Sequence, residues 1–298
     1  MPDGPAWSDL PGFGMRTLVM GILNATPDSF SGDGVITSGT GHVERAVALA
    51  VTMVGEGADI IDVGAESTRP GADPVPDPGE RARLIPVIQA LARTIDRPIS
   101  VDTRNAATAA AALDAGASII NDVSGLTHDP QMPALVARRQ AQVVIMHNAA
   151  RGSVQRTALG SRFIDAVYAD VMSEVREDLR ALADRAVGAG IACERICIDP
   201  GIGFGKTREQ NLMLLDRLDA FADLGFPILV GASRKSFIGY TLDLPVDDRV
   251  EGTAATVAIA IDRGASIVRV HDVKAMARVA RMTDAIVRRG ALPGTAPP

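Results

Sequence analysis

IIDVGAES, residues 60–67, is a short apolar run that ends in acidic and hydroxyl side chains. Seven further runs in the 298-residue chain have the same form: LVMGILN (18–24), ISVDT (99–103), IINDVS (119–124), VVIMH (143–147), ICIDPG (196–201), ILVGAS (228–233) and IVRVHDV (267–273). They are short, rich in β-branched residues and flanked by glycine. Their unbroken apolar character fits strands covered on both faces, as in a parallel sheet, better than the alternation of a half-exposed sheet. Ala-rich stretches with helical spacing lie between them, among them 43–56, 79–94, 108–115, 162–189 and 254–263. A strand followed by a helix, repeated eight times, predicts an α/β fold of one domain, the (β/α)8 TIM barrel.

Barrels of this kind carry their active sites at the C-terminal ends of the strands. Here those ends hold Asn24, Glu66, Asp102, Asn121, His147, Asp199, Ser233, Arg269 and His271. A packed core would exclude such residues, so the barrel mouth is predicted to be a polar ligand site.

Composition narrows the class of protein. A hydrophobic content of 47% supports a large core, and with aromatics at 3% that core is filled by Val, Ile, Leu and Ala. The net charge of −6 is not the footprint of a nucleic-acid or anionic-membrane binder. Cys193 and Cys197 have no His or Cys partners at metal spacing and read as buried thiols. No secretory h-region opens the chain and no apolar run reaches membrane-spanning length, so a soluble cytoplasmic protein is expected. Residues 1–17 read as an N-terminal extension, 18–289 as the barrel, and the Gly/Pro/Ala tail 290–298 as disordered.

Two long loops leave the catalytic face. The segment 21–41 has too many Gly, Ser, Thr, Asp and Asn residues to continue a strand or helix, and loops of that length at a barrel mouth are commonly functional. The segment 65–80 has prolines at 70, 74, 76 and 78, which lower the entropy of ordering a loop that presents Thr68 and Arg69. Arg69 is suited to clamp a phosphate. DPGIGFGKT (199–207) looks like a phosphate loop, but Pro200 stands where the G-x-x-x-x-G-K-T pattern needs glycine. Asp199 instead offers a carboxylate at the barrel axis, suited to an amidine-like or guanidine-like edge. Arg234, Lys235, Arg269 and His271 follow strands seven and eight, where such barrels usually hold phosphate, and favour an anionic ligand group.

Taken together, NATPDSF, DVGAESTRPGA, SVDT, INDVSG, VIMH, IDPGIGFGKT, GASRKSF and VRVHD occur in an order that resembles the dihydropteroate synthase family, from about Leu18 to Val273. The resemblance implies a pterin-binding transferase of folate biosynthesis, the target of sulfonamide drugs. Such an enzyme joins 6-hydroxymethyl-7,8-dihydropterin diphosphate to p-aminobenzoate, releases diphosphate by an SN1-like substitution, and uses Mg²⁺ on the diphosphate. Carried over by position, Asp102, Asn121, Met146, Asp199, Lys235 and Arg269 would hold the pterin. Asn24, Thr68, Arg69, Arg269 and His271 would hold the diphosphate, with Asn24 also on the metal. Phe30, Thr68, Pro70, Phe204, Ser233 and Lys235 would form the p-aminobenzoate site. Lys235, Arg69, Asp102, Arg269 and His271 would carry the catalysis.

The resemblance further implies small-molecule substrates, no nucleic-acid or membrane partner, and a homodimer formed through late helices. S-G-D-G at 31–34 departs from the commoner S-D-G-G and leaves open whether Asp33 takes the acidic role of the first loop. NAARG follows His147 in place of a Met-Gln-Gly type of continuation, and Ala65 stands where Gly is common. Two other readings compete: a methyltetrahydrofolate methyltransferase acting on a corrinoid, which has no use for STRPGA and SRKSF, and a non-catalytic pterin-binding paralogue, which would tend to lose site residues.

Overall fold

The computed structural model describes residues 5–25, 41–65, 77–149 and 152–288. Strands and helices alternate along the chain: β1 (Leu18–Asn24), α1 (His42–Glu56), β2 (Ile60–Gly64), α2 (Asp77–Thr94), β3 (Ile99–Asp102), α3 (Ala106–Ala115), β4 (Ile119–Asp122), α4 (Met132–Arg139) and β5 (Gln142–Met146). A hairpin of β6 (Ser153–Thr157) and β7 (Gly160–Ile164) interrupts the alternation before α5 (Val171–Gly188), β8 (Ile196–Asp199), α6 (Arg208–Asp216), β9 (Leu229–Val230), α7 (Ser236–Leu242), α8 (Val250–Asp262), β10 (Ile267–Val270) and α9 (Val273–Val287).

Eight parallel strands pair in the order β8-β5-β4-β3-β2-β1-β10-β9. A parallel bridge between Ile198 and Ile228, with the Ile198 N–H donating to the Pro227 carbonyl at 2.9 Å, brings the two ends of the sheet together. The expected (β/α)8 barrel is the fold observed.

Side chains alternate across each strand. Val19, Leu23, Ile61, Val63, Val101, Ile120, Val143, Ile145, Ile198 and Val268 pack outward against the helices. Leu18, Met20, Ile60, Ile119, Val144, Cys197, Leu229 and Ile267 pack inward on one another. Two residues further along, the inward positions become Ile22, Asp62, Asn121, Met146, Asp199, Gly231 and Arg269, with Asp102 joining from β3. One two-residue step therefore converts an apolar barrel floor into a polar layer that faces the mouth.

The N-terminal extension closes the other end. Trp7, buried with Leu10 against the inward apolar layer, donates its indole N–H to the Arg195 carbonyl at 2.9 Å. The segment is tied down where it enters β1. Arg16 forms a bidentate pair with Asp59 at 2.7 and 2.6 Å, and Asp284 of α9 accepts from the Thr17 N–H at 2.8 Å and its hydroxyl at 2.9 Å.

Two expectations need correction. The stretch 162–189 is not one helix: residues 153–164 pair as an exposed antiparallel hairpin, and α5 begins only at Val171. The physical start signal is Asp170, whose carboxylate accepts from the Met172 N–H at 3.0 Å and caps the helix. Cys193 is exposed, not buried; Cys197 alone sits inside the barrel, where burial pushes its thiol well above its usual pKa. The tail 290–298 lies outside the described residues. No helix among the described residues is long and apolar enough to cross a membrane.

Trp7→Ala removes both the plug and the donor to the Arg195 carbonyl. Urea unfolding is expected to show a loss of about 3–5 kcal/mol, the usual range for a buried aromatic truncated to alanine. Ligand affinity at the opposite end of the barrel should change less than about twofold, because sites without shared partners act nearly independently.

Candidate active site

Arg269 enters the polar layer from β10 and meets two carboxylates. Its Nε donates to Asp62 Oδ2 at 2.6 Å and its Nη2 to Asp102 Oδ2 at 2.8 Å. The Asn121 amide donates to the same Asp62 oxygen at 3.2 Å. Asp62 is fully buried, and its Oδ1 has no hydrogen-bond partner among the described residues. Two carboxylates against one guanidinium leave this cluster with excess negative charge. Burial pushes the Asp102 carboxyl up to about 7, with Arg269 pulling the other way and Asp62 adding to the rise. Burial also opposes the Arg269 charge, but Asp62 and Asp102 outweigh it, so the guanidinium pKa is raised.

Beside this cluster stand Asp199 and Lys235. Asp199 ends β8, where its carboxylate accepts from the Gly201 N–H at 2.7 Å. Burial raises its pKa, and the Lys235 ammonium is the largest influence holding it down. Burial lowers Lys235 itself to about 8; Asp199 opposes the fall and Arg269 adds to it. The ammonium donates to the Ile202 carbonyl and lies 4.4 Å from the centroid of the Phe204 ring, within cation–π range. Met146 pairs in register with Asp199 and is buried beside it.

A third group sits where β9 and β10 end. Ser233 Oγ and His271 Nδ1 are 3.0 Å apart, and the same hydroxyl accepts the His271 backbone N–H at 3.2 Å. Ser233, placed by resemblance in the p-aminobenzoate pocket, thus bears directly on a residue placed at the diphosphate. Arg234, expected among the ligand-facing cations, makes a bidentate pair with Asp272 at 2.9 and 2.6 Å. It braces the start of α9. His147 turns to Lys206 and Asp178.

Asp102, Asn121, Met146, Asp199, Lys235 and Arg269 therefore share one polar layer, with Phe204 against Lys235 and the Ser233–His271 pair at the end of β10. Asn24 ends β1 half-buried, in register with Gly64 of β2. Phe30, Asp33, Glu66, Thr68, Arg69 and Pro70 lie outside the described residues. Asp62 was not singled out from the sequence. A carboxylate in the middle of a strand covered on both faces was the available signal, because no apolar layer tolerates it without a partner.

The layer is built for a flat ligand with a donor-rich edge. Asp102, Asn121 and Asp199 present acceptors, Arg269 a planar cation, and Lys235 a cation on the side toward Phe204. Among the described residues no group of three or more His, Cys, Asp or Glu side chains could hold a metal ion by itself.

A barrel with such a mouth defines a class of enzymes that bind a polar heterocycle at the C-terminal ends of the strands, and comparison with known proteins narrows it. The family described as "Pterin binding enzyme" matches residues 20–271. A dihydropteroate synthase of Bacillus subtilis is 46% identical over 92% of this chain and 90% of its own length. Among solved structures, a Clostridium difficile dihydropteroate synthase determined in the presence of pteroic acid has a TM-score of 0.84 and 43% identity, covering 93% of this chain and 99% of that one. A Xanthomonas albilineans dihydropteroate synthase with 4-aminobenzoic acid has a TM-score of 0.81 and 41% identity, covering 91% and 93%. The chain belongs to the dihydropteroate synthases, within the pterin binding enzyme family.

Arg269→Met leaves Asp62 and Asp102 without their common cation. At neutral pH the loss is expected to be about 3–5 kcal/mol, as when one partner of a buried pair is removed. A carboxyl whose folded pKa is raised loses stability as pH climbs from its unfolded value toward its folded one. Asp102 already stands at about 7 and rises further without Arg269. Melting temperatures of the variant and the wild-type protein should therefore be closest near pH 4 and diverge through pH 7.

Proposed function

We infer that the protein is a transferase that joins 6-hydroxymethyl-7,8-dihydropterin diphosphate to p-aminobenzoate, forming 7,8-dihydropteroate and diphosphate in folate biosynthesis. The observation that carries this reading is the polar layer of Asp62, Asp102, Asn121, Asp199, Lys235 and Arg269 in a chain of this family.

The 2-amino and ring N–H edge of the pterin meets Asp199 and Asp102, with Asn121 beside them. Arg269, oriented by Asp62 and Asp102, lies against the ring, and Met146 lines the same pocket. Loss of diphosphate leaves cationic character on the pterin methylene carbon, which the dihydropterin ring delocalises. The excess of buried carboxylate over guanidinium favours that charge. The arylamine is neutral and nucleophilic at pH 7, so no strong base is required. Phe204 and the Lys235 stem flank it, with Phe30, Thr68 and Pro70 of the two long loops completing the pocket. Arg69, Arg269, Thr68 and the Ser233–His271 pair receive the departing diphosphate.

Mg²⁺ fits this site as a substrate-borne ion. It is commonly held by one or two protein oxygens together with substrate phosphates, and the half-buried amide of Asn24 at the end of β1 supplies one such oxygen. When bound, it neutralises charge on the leaving diphosphate. Two free thiols, Cys193 and Cys197, suit the reducing cytoplasm. The exposed Ile259 of α8 and Met282 and Ile286 of α9, on two helices packed together, suit a homodimer contact through the late helices.

The wild-type protein with both substrates and Mg²⁺ is expected to release diphosphate and form dihydropteroate; absence of both products would remove the reading. Lys235→Ala should lower kcat/KM by roughly 10²-fold or more, the scale for losing one preorganised electrostatic group. Its melting temperature near pH 7 should equal or exceed that of the wild-type protein. The folded pKa of Lys235, about 8, lies below the ordinary 10.5. The wild-type protein should therefore gain stability relative to the variant as pH rises from about 8 to 10.5, where only the unfolded chain still holds that proton.

Asp199→Asn keeps the shape but exchanges a charged acceptor for an amide. Calorimetry should show pterin binding weakened by roughly tenfold or more, in line with a charge-assisted bond of about 1.5–3 kcal/mol. Unchanged affinity would take Asp199 out of the pterin contact.

A further inference from the structure

The G-F-G-K-T segment, which fails as a phosphate loop, turns its lysine inward. Lys206 is 2% exposed. Its ammonium donates to the Gly201 carbonyl at 3.0 Å and the Phe204 carbonyl at 3.0 Å, and meets His147 Nδ1 at 2.9 Å. A lysine ammonium has three donors and no acceptor. The other ring nitrogen of His147, Nε2, faces Asp178 Oδ2 of α5 at 3.2 Å. The buried lysine is thus linked through the His147 imidazole to a half-exposed carboxylate.

The loop between β8 and α6 closes around this ammonium. Gly201 has φ +69°, and a Cβ there would lie 1.9 Å from the His147 carbonyl oxygen; Gly203 has φ +84°, and its Cβ would lie 2.8 Å from the Lys235 stem. Only glycine allows so close a wrap. Side chains hold much of the turn. Lys235 binds the Ile202 carbonyl, the Tyr168 hydroxyl donates to the Gly205 carbonyl at 3.1 Å, and Asn211 accepts from the Gly203 N–H at 2.6 Å. Phe204, whose ring lies under Lys235, belongs to this turn. Asp102 and Asn121 stand on β-strands and make no bond to it; Asp199 also ends a strand, β8, and touches the turn through the bond it accepts from the Gly201 N–H.

We propose that Lys206 is a positioning residue for the p-aminobenzoate half of the site: by holding the Gly201 and Phe204 carbonyls, it fixes the Phe204 ring against Lys235. This rests on the reading of the site as an arylamine-transferring one.

The test is Lys206→Met, assayed with both substrates and followed by amide hydrogen exchange. The expected result is a rise of at least tenfold in KM for p-aminobenzoate, with pterin diphosphate affinity within threefold of the wild-type protein. Exchange in residues 201–206 should accelerate at least tenfold while β8 stays protected. A general loss of structure would weaken both substrates alike. Equal weakening of the two, or an unchanged KM for p-aminobenzoate, overturns the proposal.

If Lys206→Met does not fold, Tyr168→Phe and Asp178→Asn decide. Each should raise KM for p-aminobenzoate at least threefold with pterin affinity unchanged, and no effect from either overturns it. A wild-type protein that forms no dihydropteroate removes the functional reading. The exchange data still judge the loop: unchanged exchange in 201–206 overturns the positioning role whatever the activity.

Discussion

Placing two carboxylates and one guanidinium inside a barrel is the constraint on which the site depends. Asp62, Asp102 and Arg269 come from β2, β3 and β10, and their bonds of 2.6 and 2.8 Å form only when the ring of strands is assembled in register. Desolvation makes such a cluster a weak source of stability, and its members are costly to leave unpaired. Its value lies in fixing a planar cation and two acceptors without a flexible loop. Slipping any one of these strands by one residue would turn its member of the cluster to the helix side and leave the others unpaired, so the cluster also disfavours a wrong register.

Stability has to come from elsewhere, and the barrel separates the two tasks along its axis. The inward layer at the N-terminal end is Leu18, Met20, Ile60, Ile119, Val144, Cys197, Leu229 and Ile267, sealed by Trp7. The outward faces are Val, Ile and Leu packed on helices. Only the inward layer two residues nearer the mouth is polar. There, burial raises Asp102 and Asp199 and lowers Lys235, so each of these groups is displaced toward its neutral form. A partner that supplies opposite charge or hydrogen bonds offsets that desolvation penalty.

The strands set the positions of Asp62, Asp102, Asn121 and Arg269, whereas a turn held by side chains sets the position of Phe204. Lys206, Tyr168 and Asn211 replace the backbone ladder that a strand would have supplied. The two halves of the site thus have different mechanical origins: one is as rigid as the barrel, the other as rigid as the side chains beneath the turn.

The (β/α)8 order was legible in the chain because continuous apolar runs and Ala-rich helical stretches alternate, and hydrophobic period depends only on local spacing. The strand-end residues Asp102, Asn121, Asp199 and Arg269 were legible for the same reason: a polar residue closing a buried strand marks the mouth. Two features near the mouth were not. Residues 162–170 run on from the helical stretch of α5, and only the pairing of Ser153 with Ile164 and the cap at Asp170 separate hairpin from helix. Asp62 and Lys206 sit inside motifs whose roles depend on partners far along the chain, Arg269 for one and His147 for the other. By itself the sequence determined the eight barrel strands and which of their ends are polar, since these follow from neighbours a few residues apart. Only the tertiary structure decided which charges pair and which lysine turns into the loop, because a buried ion pair is defined by contacts between residues that the barrel, not the chain, brings together.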